Sequence, residues 1–218
     1  MSPNDDENRW RGTSSDERID ERRDRMLVAC RDIVGKQGGS ALAVRAVCRA
    51  AGVSPRHFYE CFPDTDSLLL ATYEQSVQQL LIAVTSAAPA DFAACAPDPA
   101  AARRVLRSVF DTAISHLEKH PEDGRIIFGE ALTNNFLRTH AVMTLPKFMR
   151  AVKELTLPAP ARQRKARYGS LESTLLAGGL AAVFIEWLSG TSDFSRDDLI
   201  TYCTDITWAV LSTQPDGK

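Results

Sequence analysis

Three side chains of the kind that contact nucleic acids lie within four positions of one another in residues 51–62, AGVSPRHFYECF. Arg56 can donate two hydrogen bonds to a guanine edge, His57 can donate to a base or a phosphate, and a Tyr59 hydroxyl can reach a phosphate oxygen. The alternative is that these residues only solvate a helix, but such a surface would more often carry Lys and Glu. The residue types therefore favour contact with DNA.

Another spacing suited to chemistry occurs in HLEKH, residues 116–120, whose two histidines are four positions apart. This is metal-ligand spacing, but the HExxH order is missing and the sequence identifies no third ligand. We instead interpret the histidines as a solvated pair or as a pair in the last turn of a helix, where the dipole favours positive charge. The sequence also has no GxSxG, Walker loop, GxGxxG or Cys–His signature, so we expect no catalytic residue, cofactor or metal.

The composition is that of a soluble globular protein, since 44% of the 218 residues are hydrophobic and 25% are charged. The five cysteines include no CxxC pair, which suits reduced thiols. The charged N-terminus is not a secretory signal, and the longest apolar run, residues 175–185, falls far short of the ~20 residues that span a bilayer. We therefore expect a cytoplasmic protein with no membrane partner.

Charge is concentrated near the N-terminus. Residues 18–60 contain nine Lys or Arg and five Asp or Glu, which gives this segment +4 in a chain whose formal net charge is −2. Phosphate contacts supply most of the nonspecific affinity for DNA and make binding depend on salt. The local excess of positive charge agrees with the residue types of segment 51–62.

The apolar periodicity predicts an all-α protein of about nine helices, because no segment shows the strict alternation of a strand. Gly38–Gly39 should end the first helix, and residues 87–100, with three prolines, mark the best domain boundary. We predict a disordered arm (1–17), a three-helix helix-turn-helix domain (18–64) and a larger helical ligand-binding and dimerisation domain (65–218). The predicted helices cover about 18–38, 44–51, 55–62, 65–86, 101–119, 122–132, 134–156, 162–189 and 195–213.

The segment around Gly52 has the pattern of a helix-turn-helix. Gly52 ends one short helix, Ser54 can cap the next, and Pro55 fits its first turn because a missing N–H costs nothing there. The apolar positions that would hold the second helix inward are Val53, Phe58 and Phe62. The polar side chains between them would then face outward, toward a major groove.

Residues 38–74, GGSALAVRAVCRAAGVSPRHFYECFPDTDSLLLATYE, resemble the N-terminal module of TetR-type transcriptional regulators. The family pattern is a helix ending in Gly, then V-R-x-I-A-x-x-A-G-V-S-x-x-x-x-Y-x-x-F, a short acidic turn and a Leu-rich helix. The matching residues are Val44, Arg45, Ala51, Gly52, Val53, Ser54, Tyr59, Phe62 and Leu68. The resemblance is specific over about residues 18–85, and GGLAAVFIEWLSG is similar to the penultimate helix of many members.

The resemblance implies a set of DNA contacts. Leu42 and Ala43 stand where the family usually has Thr or Ser, and Thr65 stands where a Lys is common, although its hydroxyl can still bond a phosphate. Pro55, Arg56 and His57 occupy the variable reading positions. The expected DNA-binding residues are Arg45, Ser54, Pro55, Arg56, His57, Tyr59 and Thr65.

The last two helices are expected to form a homodimer. Residues 171–188 are apolar nearly all round, so one face needs a partner beyond the protein's own core, although a wholly intramolecular core remains an alternative. In the resembled family these helices build a four-helix dimer interface, and two recognition helices ~34–36 Å apart then meet a palindromic operator. The predicted interface residues are Leu171, Leu175, Gly178, Gly179, Ala182, Ile185, Tyr202, Ile206 and Val210.

Aromatic and apolar residues of the central helices could line an effector cavity, with a few polar contacts, or could be plain core. The predicted ligand-binding residues are Phe110, Arg125, Phe128, Asn135, Phe136, Met143, Phe148 and Trp187. We thus expect a DNA-binding regulator, a repressor by the family pattern, in which an unidentified small molecule changes operator affinity. An all-α carrier or enzyme without a DNA role is the alternative.

Overall fold

The computed structural model describes residues 15–86, 99–156 and 169–212, and these residues form helices and no strands. The predicted all-α class is therefore confirmed. The helices are α1 (Ser15–Gln37), α2 (Val44–Ala51), α3 (Pro55–Cys61), α4 (Thr65–Ser86), α5 (Pro99–Lys119), α6 (Pro121–Gly124), the π-helical turn π1 (Arg125–Glu130), α7 (Ala131–Thr133), α8 (Asn135–Thr156), α9 (Gly169–Ser189) and α10 (Arg196–Ser212).

The first helix is longer than predicted. It begins at Ser15 rather than at residue 18, so three residues assigned to the disordered arm are helical. Glu17 places negative charge in this first turn, where the helix dipole favours it. Residues 1–14 of the predicted arm, most of the proline-rich boundary and the start of the predicted eighth helix lie outside the described residues.

The stretch predicted as one helix over 122–132 is divided into α6, π1 and α7. The wider turns of π1 separate neighbouring residues between two cores, since Ile126 packs with α1–α4 whereas Ile127 and Phe128 pack with α5, α9 and α10. This segment therefore connects the two cores.

Two hydrophobic cores organise the described chain, and α4 contributes to both. Leu68, Leu69 and Tyr73 from its first half are at most 2% exposed in the core formed with α1, α2 and α3. Leu80 and Val84 from its second half belong to the other core. A helix shared in this way ties the helix-turn-helix to the rest of the protein.

Surface ion pairs attach α10 to α5. Arg107 pairs with Asp197 and Arg103 pairs with Asp205, while Arg196 Nη1 lies 2.7 Å from Asp111 Oδ1. Each exposed pair contributes about 1 kcal/mol or less. Together they fix which face of α10 turns away from α5.

Candidate nucleic-acid interface and ligand cavity

The turn between α2 and α3 follows the pattern read from the sequence. Gly52 ends α2 with φ 65° and ψ 39°, a left-handed conformation that glycine adopts without steric cost. The Ser54 hydroxyl accepts a hydrogen bond from the His57 N–H at 3.3 Å, and Pro55 occupies the first turn. The start of the short helix α3 is therefore capped by residues next to it in the sequence.

α3 turns its apolar residues inward and its polar residues outward. Phe58 and Phe62 are 0% and 2% exposed, with Val53 packed beside them. In contrast, 88% of the Arg56 side chain and 59% of Tyr59 are exposed, and His57 is half-buried. The outward face is thus available to a large ligand such as a DNA groove.

Arginines of α1 hold α3 in place. Arg23 Nη1 donates to the Cys61 carbonyl oxygen at 3.3 Å, which satisfies a carbonyl at the end of α3, and its guanidinium lies 4.4 Å from the Phe62 ring centroid. Arg22 pairs with Glu60 at 3.4 Å. Sequence reasoning did not find these residues because 38 positions separate the partners, and no local pattern signals such a pairing.

Glu60 also pairs with Arg56, whose Nε lies 3.3 Å from Oε1. The carboxylate therefore stands between a cation of α1 and the most exposed cation of α3. In the DNA-free chain it orients Arg56 along the helix surface, as expected for an i,i+4 pair. Because the Arg56 side chain is almost fully exposed, this pair is weak and can be exchanged for a stronger acceptor.

The remaining predicted DNA contacts lie close to the ends of the same helices. Arg45 is exposed in the first turn of α2, and Thr65 is the half-buried first residue of α4. Before Thr65, the Asp64 carboxylate accepts the Ser67 N–H at 2.7 Å, and this bond holds the pKa of Asp64 below its usual value. Burial raises the pKa of the Cys61 thiol on α3, so that side chain adds no negative charge to the face.

A small cavity of about 50 Å³ lies in the second core, with contributions from α4, α5, π1, α8 and α9. Its lining is wholly apolar and includes three of the predicted ligand-binding residues, Phe110, Phe128 and Phe148. Phe128 also stacks on Phe184 with ring centroids 5.3 Å apart. The space is about that of one or two water molecules, so a larger guest has to push these rings apart.

The structure does not bring the other predicted ligand-binding residues to this cavity. Phe136 and Met143 are 40% and 67% exposed, and Asn135 is exposed as well. Trp187 stacks on Phe194 at 6.0 Å, and Arg125 lines a separate groove. The spacing of apolar residues along α8 was misleading because it does not reveal which face is buried.

A buried polar cluster lies beside the cavity and contains one member of the HLEKH pair. Asp123 is 1% exposed; it accepts a hydrogen bond from the Ser76 hydroxyl at 2.7 Å and lies 3.2 Å from Arg31 Nε. His116 Nε2 is 3.1 Å from the other carboxylate oxygen. His116 therefore lies in the last helical turn, as one form of the prediction had it, but it is largely buried, whereas His120 is exposed.

The predicted dimer face is exposed in the single chain. Leu171, Leu175, Tyr202 and Ile206 are 41–71% exposed, and a Cβ added to Gly178 or Gly179 would meet no atom within 4 Å. Ala182 is exposed too, whereas Ile185 and Val210 are half-buried against their own cores.

Leu171–Ser189 is also long and apolar enough to cross a membrane by length and composition. This is weak support for a membrane span, because helices of soluble proteins pass the same test.

Taken together, the capped turn and the outward polar face define a helix-turn-helix protein of the all-α class. Residues 27–72 match the family model described as "Bacterial regulatory proteins, tetR family". The resemblance read from the sequence is thereby confirmed: the chain has the N-terminal domain of the TetR family of transcriptional regulators. A comparison with curated protein sequences finds no match.

Solved structures with the same fold cover nearly the whole chain. A TetR-like transcriptional regulator from Rhodococcus sp. RHA1 is 17% identical, with a TM-score of 0.61 over 88% of this chain and 97% of that one. The multidrug binding protein EbrR complexed with imidazole is 18% identical, with a TM-score of 0.62 over 89% and 92%. The fatty acid degradation regulator FadR from Bacillus halodurans is 14% identical, with a TM-score of 0.59 over 94% and 99%. The fold is that of TetR-type regulators.

Proposed function

We propose that the protein is a sequence-specific DNA-binding transcriptional regulator, acting as a repressor in the cytoplasm and not as an enzyme. The observation that carries this proposal is the outward face of α3, where Arg56 and Tyr59 are exposed while Phe58 and Phe62 anchor the helix. Two arginines of α1 reach the end of α3, so the face is held rigidly before DNA arrives. A rigid face loses little entropy on binding.

Each predicted contact has a role that follows from its position. Arg56 reads a base edge, for which it exchanges its Glu60 partner, and His57 donates to a neighbouring base or phosphate. Arg45, Tyr59 and the hydroxyls of Ser54 and Thr65 bond phosphates and fix the register of α3 in the groove. Pro55, the exposed first residue of α3, makes van der Waals contact with the groove at the tip of the helix.

The operator-binding form is a homodimer joined through α9 and α10. Large apolar side chains exposed along a small-residue stripe are costly in water and complementary to a second copy of the same helix. Two copies then present two α3 helices to a palindromic operator.

The cavity of the second core is the proposed effector site. Its apolar lining favours an uncharged hydrophobic guest, which has to displace Phe128 from its stack on Phe184 in order to fit. The multidrug binding protein EbrR, which has a similar fold and was solved in complex with imidazole, supports a small-molecule ligand for a chain of this fold.

The helical segment from α6 to α7 is the proposed link between effector and DNA. Phe128 of π1 lines the cavity, while two residues further on Glu130 accepts the Gly39 N–H at 2.9 Å, in the turn before α2. A guest that moves π1 therefore pulls on the helix-turn-helix through this bond and through the Asp123–Arg31 pair. The result is a change in operator affinity.

Footprinting the purified protein on the DNA that flanks its own gene tests the proposal. A protected palindrome is expected, and Arg56→Ala should weaken its binding by about 1–3 kcal/mol. Tyr59→Phe should weaken binding to all duplexes alike, because it removes a phosphate contact. Arg138→Ala, which changes an exposed arginine of α8, is the matched control and should bind as the parent does.

Unchanged footprints for Arg56→Ala and Tyr59→Phe would count against the proposal. The alternative of a carrier or enzyme is tested by titrating salt against random duplex DNA. A regulator loses affinity steeply as salt rises, since contacts with phosphates release counterions. Absence of binding at low salt would favour the carrier.

A further inference from the structure

A second and much larger space lies on the surface where α1, α6, π1 and the end of α9 meet. We call it the α1/α9 groove, and its volume is about 710 Å³. Val28, Arg31 and Lys36 of α1 form one wall, Ile185 and Leu188 of α9 form the other, and Arg125 stands at the start of π1. This volume is within the range of small-molecule sites, unlike that of the enclosed cavity.

The walls of the α1/α9 groove are fixed by two close helix contacts. A Cβ added to Gly35 of α1 would lie 2.6 Å from the Cβ of Glu122, and one added to Gly124 would lie 2.3 Å from Leu188 Cδ1. Both distances are below van der Waals contact; at Gly35 the neighbouring atoms are the Cβ and Cα of Glu122, which have little freedom to move, whereas at Gly124 the neighbour is the end of the Leu188 side chain. Because α6 is packed against both walls, the groove exists before any ligand binds.

The charges along the groove are paired, with one exception among the described residues. Lys36 Nζ lies 2.6 Å from Asp32, and Arg31 is paired with the buried Asp123 and donates to Gln75. Glu122 lies 3.6 Å from His120 Nδ1, a contact that becomes an ion pair when the imidazole is protonated. Within the described part of the chain, Arg125 is exposed and has no ion-pair partner, so an anionic group is the complement that the groove lacks.

The groove also offers apolar surface. Val28 is 65% exposed on α1, and it lines the groove together with Leu188 of α9. An apolar body in contact with these two side chains would remove both from water. The groove is therefore complementary to a ligand that has both an apolar part and an anionic group.

We propose that the α1/α9 groove binds a small amphipathic anion, whose carboxylate or sulfonate pairs with Arg125 while its apolar body lies on Val28 and Leu188. This site is distinct from the apolar cavity, and the proposal goes beyond the effector site described above. Its occupant touches both the helix that supports α3 and the helix of the proposed dimer face. It does not depend on DNA binding.

Binding of 1-anilinonaphthalene-8-sulfonate, followed by fluorescence titration of the full-length protein, tests the site. The parent is expected to bind this probe, and Arg125→Gln should weaken the affinity about tenfold, as expected for loss of one charge-assisted hydrogen bond. Val28→Asp should weaken it at least as much, because it removes apolar contact and repels the sulfonate. Arg125→Lys should retain most of the affinity.

Two controls separate this site from others. Arg138→Gln removes an exposed arginine of α8, outside the groove, and should leave the affinity unchanged. N-phenyl-1-naphthylamine, which has the same rings without the sulfonate, should bind the parent and Arg125→Gln equally. Equal affinity of the sulfonate probe for parent and Arg125→Gln, or no binding to the parent at all, would overturn the proposal. Neither result bears on footprints, so the proposed regulator function is judged separately.

Discussion

Asp123 carries its carboxylate in the interior, where it meets side chains from three other helices. Ser76 of α4 donates to one oxygen, which also lies beside Arg31 of α1, and His116 of α5 approaches the other oxygen. A buried charge is costly unless its partners replace water, and removing one partner leaves the other unpaired. The cluster therefore joins four helices at a point where a lost group cannot be replaced by solvent.

Asp123→Ala should lower the free energy of unfolding by about 3 kcal/mol, because it leaves Arg31 without its partner and Ser76 without an acceptor. Urea unfolding followed by circular dichroism measures the loss. Asp111→Ala, which breaks an exposed pair with Arg196, is the matched control and should cost about 1 kcal/mol or less. Similar losses for both variants would contradict the role given to the buried cluster.

At this scale, sequence reasoning found the surface residues of α3 but not their partners. Local rules of helix capping and apolar periodicity predict the positions of Ser54, Pro55 and Phe58. The structure agrees with these rules, since Ser54 caps α3, Pro55 lies in its first turn and Phe58 is buried. The burial of His116 was not predicted because its environment depends on Asp123, which follows a proline turn that brings it back to α5. Contacts made by tertiary packing leave no such local signal.

At the scale of the elements, α4 begins with a charged cap. Asp64 accepts the Ser67 N–H, and this bond, with a smaller contribution from the Ser67 side chain, holds the pKa of Asp64 in the folded chain below its usual value. A carboxyl of this kind stabilises the fold above the ordinary Asp pKa. That contribution is lost as pH falls through the lower, folded pKa.

Asp64→Ala should therefore lower the melting temperature at neutral pH, and the difference from the parent should shrink as the pH falls from about 5 to about 3. Melting curves recorded across this range by circular dichroism give the measurement. Ser67→Ala keeps the backbone N–H and loses only the hydroxyl, so a smaller change of the same sign is expected. A difference that stayed constant with pH would argue against a charged cap.

Helix boundaries set by glycine, proline and capping residues were predictable, whereas the π-helical turn was not. Gly52 ends α2 as its left-handed conformation requires. The predicted helix over 122–132 is instead interrupted by π1, because Ile126 and Ile127 have to enter different cores. Helical periodicity assumes that one face is buried, and so it misses a segment that serves two.

At the scale of the whole molecule, the exposed face of α9 requires an explanation. Leu171 and Leu175 are 64% and 71% exposed and lie in line with Gly178 and Ala182, whose small size allows a second helix to approach. The sequence alone could not show which face of α9 is exposed, because the helix is apolar nearly all round. The single chain shows which side is left uncovered, and a second copy of the chain is its proposed cover.

Leu175→Arg should convert the proposed dimer to monomer, because a charge at the centre of the face would be buried without a partner. Sedimentation velocity measures the oligomeric state. Ile82→Arg changes an exposed apolar residue of α4, 54% exposed and away from this face, and should leave the dimer intact. A dimer that survived Leu175→Arg would place the interface elsewhere.

The tight contacts around α6 bear on how the molecule can move. At Gly35 and Gly124 the backbone of one element lies close to a side chain of the other, so α6 packs tightly against α1 on one side and against the Leu188 side chain of α9 on the other. Closely packed helices do not deform continuously; they change from one discrete packing arrangement to another. We therefore expect any conformational change transmitted through α6 to be a switch between two discrete packing arrangements. In such a switch α1 and α9 should move together.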